Sequence, residues 1–558
     1  MDYHPERPLV VQSDRSVMLE VQHPDFDLAR DALAAFAELE KSPEHVHTYR
    51  ITPLSLWNAA AAGLEPVEVT GRLERLGKYP LPVNVRHEIF DYMSRYGRLK
   101  LVRSDHALLL TADDPALLHE VARHRAVAPL VEAFVDECAI SIGDGARGRI
   151  KQELLKIGYP VEDLAGYVDG ASLRFALRSK SASRRPFSLR NYQRMAVDAF
   201  YAGGSYRGGS GVVVLPCGAG KTVVALGVMA EVKAHTLILA TNITAVRQWI
   251  AEILDKTDLE PSQVGEYTGE RKEIRPVTVS TYQILTYRKR RDEGFPHFEL
   301  FDAHDWGLII YDEVHLLPAE IFRKTSELQA RRRLGLTGTL VREDGREAEV
   351  FTLIGPKKYD APWKQLEQEG WIASATCMEY RLPLPERLRM RYAVANDRDK
   401  YRIAAENPVK TGLIRVLLEK HAHDQVLIIG QYLAQLEEIA SEFALPLITG
   451  KVATDRREEL YAAFKGGQLR TLVVSRVANF AVDLPEANVA IQVSGTFGSR
   501  QEEAQRLGRI LRPKSGGGNA VFYSLVTRET REQEFARNRQ IFLTEQGYRY
   551  LIEYWDVS

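Results

Sequence analysis

The sequence predicts an α/β fold in which two parallel-sheet lobes follow an N-terminal accessory α+β region. Two sets of short β-branched runs predict the lobes. In the first, Val212–Leu215, Thr236–Leu239, Val277–Ser280 and Leu308–Tyr311 alternate with helical stretches. In the second, Val426–Ile429, Thr471–Val474, Val489–Val493 and Val521–Tyr523 do the same. Near-continuous apolar strands between helices are the pattern of a parallel sheet covered on both faces. The third observation is a polar, basic stretch from Ser179 to Pro186, which reads as a linker. The expected division is an N-terminal accessory domain over 1–100, a second N-terminal domain over 101–180, a first lobe over 181–365, and a second lobe over 366–558 with an insertion near 379–410.

Each element has its own support. Up to about residue 180 the chain reads as helices with a few short strands. A helix opens over Ser55–Ala62, where Gly63 can stop it. The 558 residues are 45% apolar and 27% charged, enough for several buried cores and unlike a disordered or collagen-like chain. The 74 basic and 75 acidic residues leave a net charge of -1, which excludes coating nucleic acid by bulk charge but not local basic grooves. Three scattered cysteines, Cys138, Cys217 and Cys377, exclude a disulfide framework and a four-cysteine zinc or iron–sulfur site. The run Leu9–Val11 is too short for a signal-peptide core, and no window reaches the roughly 18 apolar residues of a membrane span. A cytoplasmic protein that does not contact membranes is expected.

Three constellations carry chemistry. Pro216-Cys217-Gly218-Ala219-Gly220-Lys221-Thr222 lies between a predicted strand and a predicted helix. Glycines there let backbone amides cradle phosphates at the positive end of the helix. Lys221 supplies charge to the terminal phosphates of ATP, and Thr222 a hydroxyl to Mg2+. Leu215 stands where the strict P-loop pattern has its first glycine. The second constellation, Asp312-Glu313-Val314-His315, ends a buried strand. There Asp312 can hold the magnesium, and Glu313 can orient or deprotonate the attacking water. The third runs from Gln505 to Arg512, behind a Ser499–Glu502 capping box. Helical spacing puts Gln505, Arg509 and Arg512 on one face, from which the guanidiniums can reach a γ-phosphate held by the other lobe.

In this order the three constellations resemble the superfamily 2 helicases and translocases. Leu189-Arg190-Asn191-Tyr192-Gln193 is similar to the upstream glutamine motif, in which Gln193 reads the adenine edge. The segments Asp312–Arg323, Leu334–Asp344 and Asp483–Val489, continuing through Ser499–Arg512, resemble the XPB family of DNA repair helicases. Arg342-Glu343-Asp344 matches that family's Arg-Glu-Asp motif, linked to duplex opening. The motif resemblance spans roughly 186–527, while residues 1–180 look like the family's N-terminal and damage-recognition regions through weaker signals. Two positions depart from the superfamily pattern: Gly338 replaces an alanine between Thr337 and Thr339, and Ala481 replaces the glycine two residues before Asp483.

The resemblance implies RecA-like motor lobes, with ATP held at Gln193, Pro216–Thr222 and Asp483. It implies strand contacts at Thr241, Thr244, Ser280 and Thr281, and coupling through Thr337, Thr339 and Arg342–Asp344. Trp249 reads as a core residue of its helix, and Arg288–Arg291 as a basic run open to either a DNA-binding or a merely solvated reading. The insertion near 379–410, with Arg387, Arg389, Arg391 and Arg398, resembles the family's DNA-gripping thumb. The implied function is an ATP-dependent DNA helicase or translocase of the nucleotide-excision type, of prokaryotic kind because no long acidic extension precedes the core. DNA is the implied partner, with a nuclease as a second one. The alternatives are a double-strand translocase that does not separate strands, a non-nucleic-acid P-loop ATPase, and an ATP-binding scaffold.

Overall fold

The computed structural model describes residues 3–43, 45–104, 107–216, 218–290, 294–329, 331–338, 347–361, 366, 369, 375–475, 487–495, 520–545 and 548–556. Cys217, Thr339, Arg342, Glu343, Asp344, Ala481, Asp483, Gln505, Arg509 and Arg512 lie outside them.

The N-terminal region is α+β, as expected, its helices accompanied by two sheets with more strands than the sequence suggested. β1 (Leu9–Val11), β2 (Ser16–Glu20), β3 (Glu38–Lys41) and β4 (Val46–Arg50) form an antiparallel sheet in the order β1-β2-β4-β3. β5 (Leu99–Ser104), β6 (Ala107–Ala112), β7 (Val131–Asp136), β8 (Ala139–Ile142) and β9 (Val161–Asp163) form a second, in the order β7-β8-β6-β5-β9. The edge strands explain the difference. β3 reads Glu-Leu-Glu-Lys, and β7, Val-Glu-Ala-Phe-Val-Asp, is largely exposed. Charged edges discourage pairing with other chains, and they also erase the apolar signal of a strand. The helix expected to open at Ser55 spans Pro53–Ala61. Thr52 caps it by accepting from the Ser55 N–H at 3.0 Å while the Ser55 hydroxyl accepts from the Thr52 N–H at 3.0 Å. Gly63 follows with φ +90°, a left-handed conformation suited to glycine.

The stretch read as a linker is fastened to the first lobe. Arg178 and Ala182 donate backbone N–H groups to Lys256 and Asp255 carbonyls at 2.9 and 2.8 Å. Upstream, Leu173 and Phe175 are buried in that lobe's core. Polar composition marks the surface location of this segment but says nothing of its hydrogen bonds.

The first lobe contains β10 (Ser210–Val214), β11 (Thr236–Ala240), β12 (Val264–Tyr267), β13 (Val277–Thr281), β14 (Leu308–Asp312), β15 (Arg332–Thr337) and β16 (Lys357–Asp360). All are parallel, in the order β12-β13-β11-β14-β15-β10-β16. The second lobe contains β17 (Ala375–Leu382), β18 (Val426–Gly430), β19 (Leu447–Ile448), β20 (Thr471–Ser475), β21 (Val489–Gln492), β22 (Ala520–Thr527) and β23 (Arg549–Tyr554). Its order is β19-β20-β18-β21-β22-β17-β23, the same wiring strand for strand. Separate apolar clusters fill both faces of each sheet. All eight runs read as buried strands from the sequence are strands here. Two helices, Glu386–Val394 and Asp397–Ala405, interrupt the second lobe after β17.

The first N-terminal sheet touches both lobes. The Lys357 N–H donates to Asn58 Oδ1 at 2.9 Å, and Gln540 Nε2, from the helix Arg531–Glu545 of the second lobe, donates to the Ser42 carbonyl at 2.5 Å. Ile541 completes the N-terminal apolar core. No helix among the described residues is long and apolar enough to cross a membrane.

Candidate active site

Parallel wiring gathers the carboxyl ends of β10, β14 and β15 on one edge, where open α/β sheets take their ligands. The turn after β10 begins with Leu215, fully buried, whose N–H donates to the Thr337 carbonyl at the end of β15 at 2.9 Å. Gly218 and Gly220 both have φ +84°. A side chain on Gly220 would be strained twice over, since its Cβ would lie 2.6 Å from Gln193 Nε2. Lys221 then starts the helix Lys221–Val232 with Thr222 next to it. The first amides of the helix and the loop before it thus face the same space.

Lys221 Nζ lies 2.8 Å from Glu313 Oε1, both side chains being mostly buried. Burial alone would raise the Glu313 carboxyl, but Lys221, His315 and a hydrogen bond from the Gly338 backbone hold it below its ordinary value. Glu313 is therefore kept ionised. His315 Nδ1 lies 3.6 Å from Glu313 Oε2 and 2.5 Å from Thr337 Oγ1. A continuous polar chain thus runs from the lysine through both carboxylate oxygens to the end of β15. Glu313 itself has φ +49°, a left-handed conformation that costs a non-glycine residue of order 1–3 kcal/mol.

Asp312 ends β14. Burial and the neighbouring Glu313 push its carboxyl up, while Trp249 Nε1 donates to its Oδ2 at 2.9 Å and opposes the shift. Two adjacent buried carboxylates sharing one lysine form a site short of positive charge. Asp312, Thr222 and phosphate oxygens match the oxygen donors that Mg2+ prefers. Trp249 is buried, as expected for a core residue, and it also orients Asp312, a role that helical periodicity cannot reveal. The Tyr282 hydroxyl donates to the Asp312 carbonyl at 2.7 Å.

Gln193 is buried, with Oε1 accepting from the Arg190 N–H at 3.0 Å and Nε2 donating to the Ala219 carbonyl at 3.0 Å. The Tyr192 hydroxyl donates to the same carbonyl at 2.6 Å. Both side chains therefore brace the glycine turn from behind. Sequence reasoning quoted Tyr192, His315 and Gly338 within motifs without assigning them a role. Their neighbours across the sheet supply it.

Thr241 and Thr244 follow β11, and Ser280 and Thr281 end β13, its parallel neighbour. Asn242 and Thr281 cap the helices that follow, accepting from Ala245 N at 2.9 Å and Ile284 N at 3.2 Å. Thr244 is exposed. Ser280 Oγ is buried without a hydrogen-bond partner among the described residues.

Two identically wired parallel sheets, one ending in a glycine turn, a lysine and an Asp-Glu pair, define a two-lobed P-loop ATPase. A family model described as the ERCC3/RAD25/XPB C-terminal helicase matches residues 366–554. A type III restriction enzyme res-subunit model matches 186–342, and a helicase conserved C-terminal domain model matches 9–134. The "DNA 3'-5' helicase XPB" of Mycobacterium tuberculosis is 55% identical over 98% of this chain and 97% of its own. The yeast "General transcription and DNA repair factor IIH helicase/translocase subunit XPB/SSL2", from Saccharomyces cerevisiae, is 31% identical over 98% of this chain and 72% of its own. The structure of the ATP-dependent Type ISP restriction-modification enzyme LlaBIII bound to DNA matches with TM-score 0.51 and 14% identity, covering 67% of this chain and 32% of that one. That likeness concerns the fold alone. The chain belongs to the XPB family of helicases, and membership implies that it uses ATP.

Proposed function

We propose that this protein is an ATP-dependent DNA helicase of DNA repair, in which ATP hydrolysis between the two lobes drives opening of a DNA duplex. The observation that carries this reading is the Lys221–Glu313–His315–Thr337 chain, which joins the phosphate-binding turn to the end of β15. In this reading the amides of Gly218–Lys221, with Pro216, Cys217 and Ala219 completing the turn, hold the phosphates, and Gln193 and Tyr192 keep it in shape. Asp312 and Thr222 hold Mg2+, which when bound neutralises charge on the phosphates. Glu313 orients the attacking water and takes its proton. Gln505, Arg509 and Arg512 complete the site from the second lobe, and Asp483 binds nucleotide beside them.

Coupling follows from Thr337 and Gly338. Both touch the groups that respond to the γ-phosphate, and the chain continues directly into Thr339 and Arg342–Asp344. Thr241, Thr244, Ser280 and Thr281 bind strand phosphates through hydroxyl and amide groups. The exposed helix Glu386–Val394 presents Arg387, Arg389 and Arg391 as a DNA grip. Units over 1–100 and 101–180, the latter contacting damaged DNA, precede lobes over 181–365 and 366–558. A nuclease is the expected protein partner and the cytoplasm the expected location.

The test is ATP turnover with and without DNA for wild type, Glu313→Gln and Arg509→Ala, with strand displacement run beside triplex displacement. Loss of DNA-stimulated turnover in both variants, with strand displacement by wild type, supports the reading. Triplex displacement without strand separation would favour a double-strand translocase, and turnover indifferent to DNA would favour a P-loop ATPase of another kind.

A further inference from the structure

A cavity of about 300 Å³ opens at the other edge of the first lobe's sheet, where Ser210 starts β10. Three regions meet there. Ala60, Gly63 and Tyr96 come from the first N-terminal unit, Lys151, Glu162, Asp163 and Tyr167 from the second, and Arg207, Ser210 and Lys358 from the first lobe. An apolar contact of Trp57, Leu155 and Phe351 joins the same three regions alongside it.

The charges around this cavity do not balance. Arg147, Lys151 and Arg333 are 2%, 5% and 0% exposed. Asp163 serves two of them, with Oδ1 2.7 Å from Arg147 Nη2 and Oδ2 2.9 Å from Lys151 Nζ. Lys151 reaches across to the first lobe, donating to Gln329 Oε1 at 2.7 Å. Arg333 has only neutral partners among the described residues: its Nε donates to the Leu353 carbonyl at 2.7 Å, Nη1 to the Gln329 carbonyl at 2.7 Å and Nη2 to Ser210 Oγ at 3.1 Å. The Tyr167 ring lies within 6 Å of the Arg147, Arg332 and Arg333 guanidiniums, which places its electron-rich face among cations.

At the cavity wall, Glu162 Oε1 lies 3.6 Å from Arg207 Nε. Lys358 Nζ donates to the Arg207 carbonyl at 2.8 Å and pairs with no carboxylate among the described residues. Burial lowers the Lys358 ammonium's affinity for its proton, and the Arg207 charge adds to this while Glu162 opposes it. Burial likewise brings Lys151 down to about 8, with Arg333 and Arg147 adding to the shift and Asp163 opposing it. Lys151, Arg207 and Lys358 thus line the cavity with two carboxylates, Glu162 and Asp163, while Arg147 and Arg333 lie behind its wall, bonded to the lining residues Asp163 and Ser210. Arg207 is largely exposed, but Arg333 is fully buried with neutral hydrogen-bond partners, and a buried cation calls for a counter-ion.

We propose that this cavity is a binding site for a phosphate-class dianion, either inorganic phosphate or the phosphoryl group of a small molecule, held by Lys358, Arg207 and Lys151. Its volume falls at the small end of ligand pockets, so a phosphoryl group with a small attached moiety fits and a duplex does not. The ligand would join the second N-terminal unit to the first lobe, since its cationic donors come from both. The site lies beyond the opposite end of β10 from Lys221, so occupancy does not compete with ATP.

The test is calorimetric titration of inorganic phosphate into the full chain carrying Lys221→Met, which removes the phosphate-turn lysine. Chloride at matched ionic strength is the control, and a methyl phosphate titration separates free phosphate from an esterified phosphoryl group. Saturable binding is expected, weakened about tenfold or more in Lys221→Met/Lys358→Met, the loss of one charge-assisted hydrogen bond. Lys221→Met/Arg207→Gln provides a second variant at an exposed side chain, with a smaller loss expected. Preference for methyl phosphate would identify the esterified ligand, and equal or weaker binding the free ion. No phosphate-specific heat in Lys221→Met, or heat unchanged by both second substitutions, would overturn the proposal.

Discussion

The two lobes share their strand wiring and differ in what they do with one lysine. In the first lobe, the helix that follows β10 begins with Lys221, which reaches Glu313, the residue after β14. In the second, the helix Val409–Lys420 that follows β17 carries Lys410 at its second position. Lys410 Nζ donates to the carbonyl of Val493, the residue after β21, at 2.8 Å, and pairs with Glu532 at 2.7 Å. β17 and β21 occupy the places that β10 and β14 hold in the first sheet. Both lobes therefore send a lysine from the same helix end to the same strand end. The Lys410–Glu532 pair is completely sealed, however, while Lys221 and Glu313 keep 13% and 12% of their side-chain surface. The approaches differ as well. Gly218 and Gly220 leave backbone amides open before Lys221, whereas Pro383, Pro385 and two helices precede Lys410. An ion pair at this point of the fold is not itself a catalytic device. The open glycine turn and the carboxylate pair are what distinguish the first lobe's pair and support the proposed catalytic role.

The largest expected effect separates the two lysines by function. Glu313→Gln should reduce DNA-stimulated ATP turnover by about a thousandfold, because a positioned, ionised base is lost while the fold is kept. Steady-state turnover beside a denaturation curve checks both halves, and a large change in stability would count against the contrast. Lys410→Met should do the reverse. Leaving Glu532 buried without its partner costs about 3–5 kcal/mol by chemical denaturation, with KM for ATP unchanged in the folded protein. Adding Glu532→Gln should recover more than half of that loss, since glutamine still accepts from the Thr527 N–H.

The next effect is smaller. Trp249→Phe keeps the buried ring and deletes the hydrogen bond to Asp312, so turnover should fall about tenfold with little change in stability. Magnesium titration of the ATPase should show a raised half-saturating concentration, and an unaltered magnesium dependence would remove Trp249 from the site. Tyr192→Phe should have the least effect, about a threefold rise in KM for ATP, because Gln193 still holds the Ala219 carbonyl.

What the sequence could tell followed the strength of its periodicity. Strands buried on both faces, such as Leu308–Tyr311 and Val426–Ile429, are apolar throughout and were legible. The N-terminal region was legible as α+β, but the number of its strands was not, because edge strands such as β3 and β7 put charges where a strand signature needs apolar residues. Within the candidate site, the grouping of Lys221, Asp312 and Glu313 was readable because it depends on two local motifs at neighbouring strand ends. The contacts of Trp249, Tyr192 and His315 were not, because each acts on a partner 22 to 63 residues away in the chain. Nor could spacing reveal that Lys410 repeats the geometry of Lys221, since no glycine turn flags it.

The left-handed backbone at Glu313 carries a consequence for how this enzyme can change. Glycine or asparagine would suit that conformation better than glutamate does. In the proposed mechanism a more relaxed turn would lose the water-activating carboxylate, so position 313 is a place where thermal robustness and turnover would pull in opposite directions. Attempts to stabilise the protein by matching each residue to its preferred backbone would single out this position, and would gain heat resistance there at the expense of the carboxylate proposed to activate water.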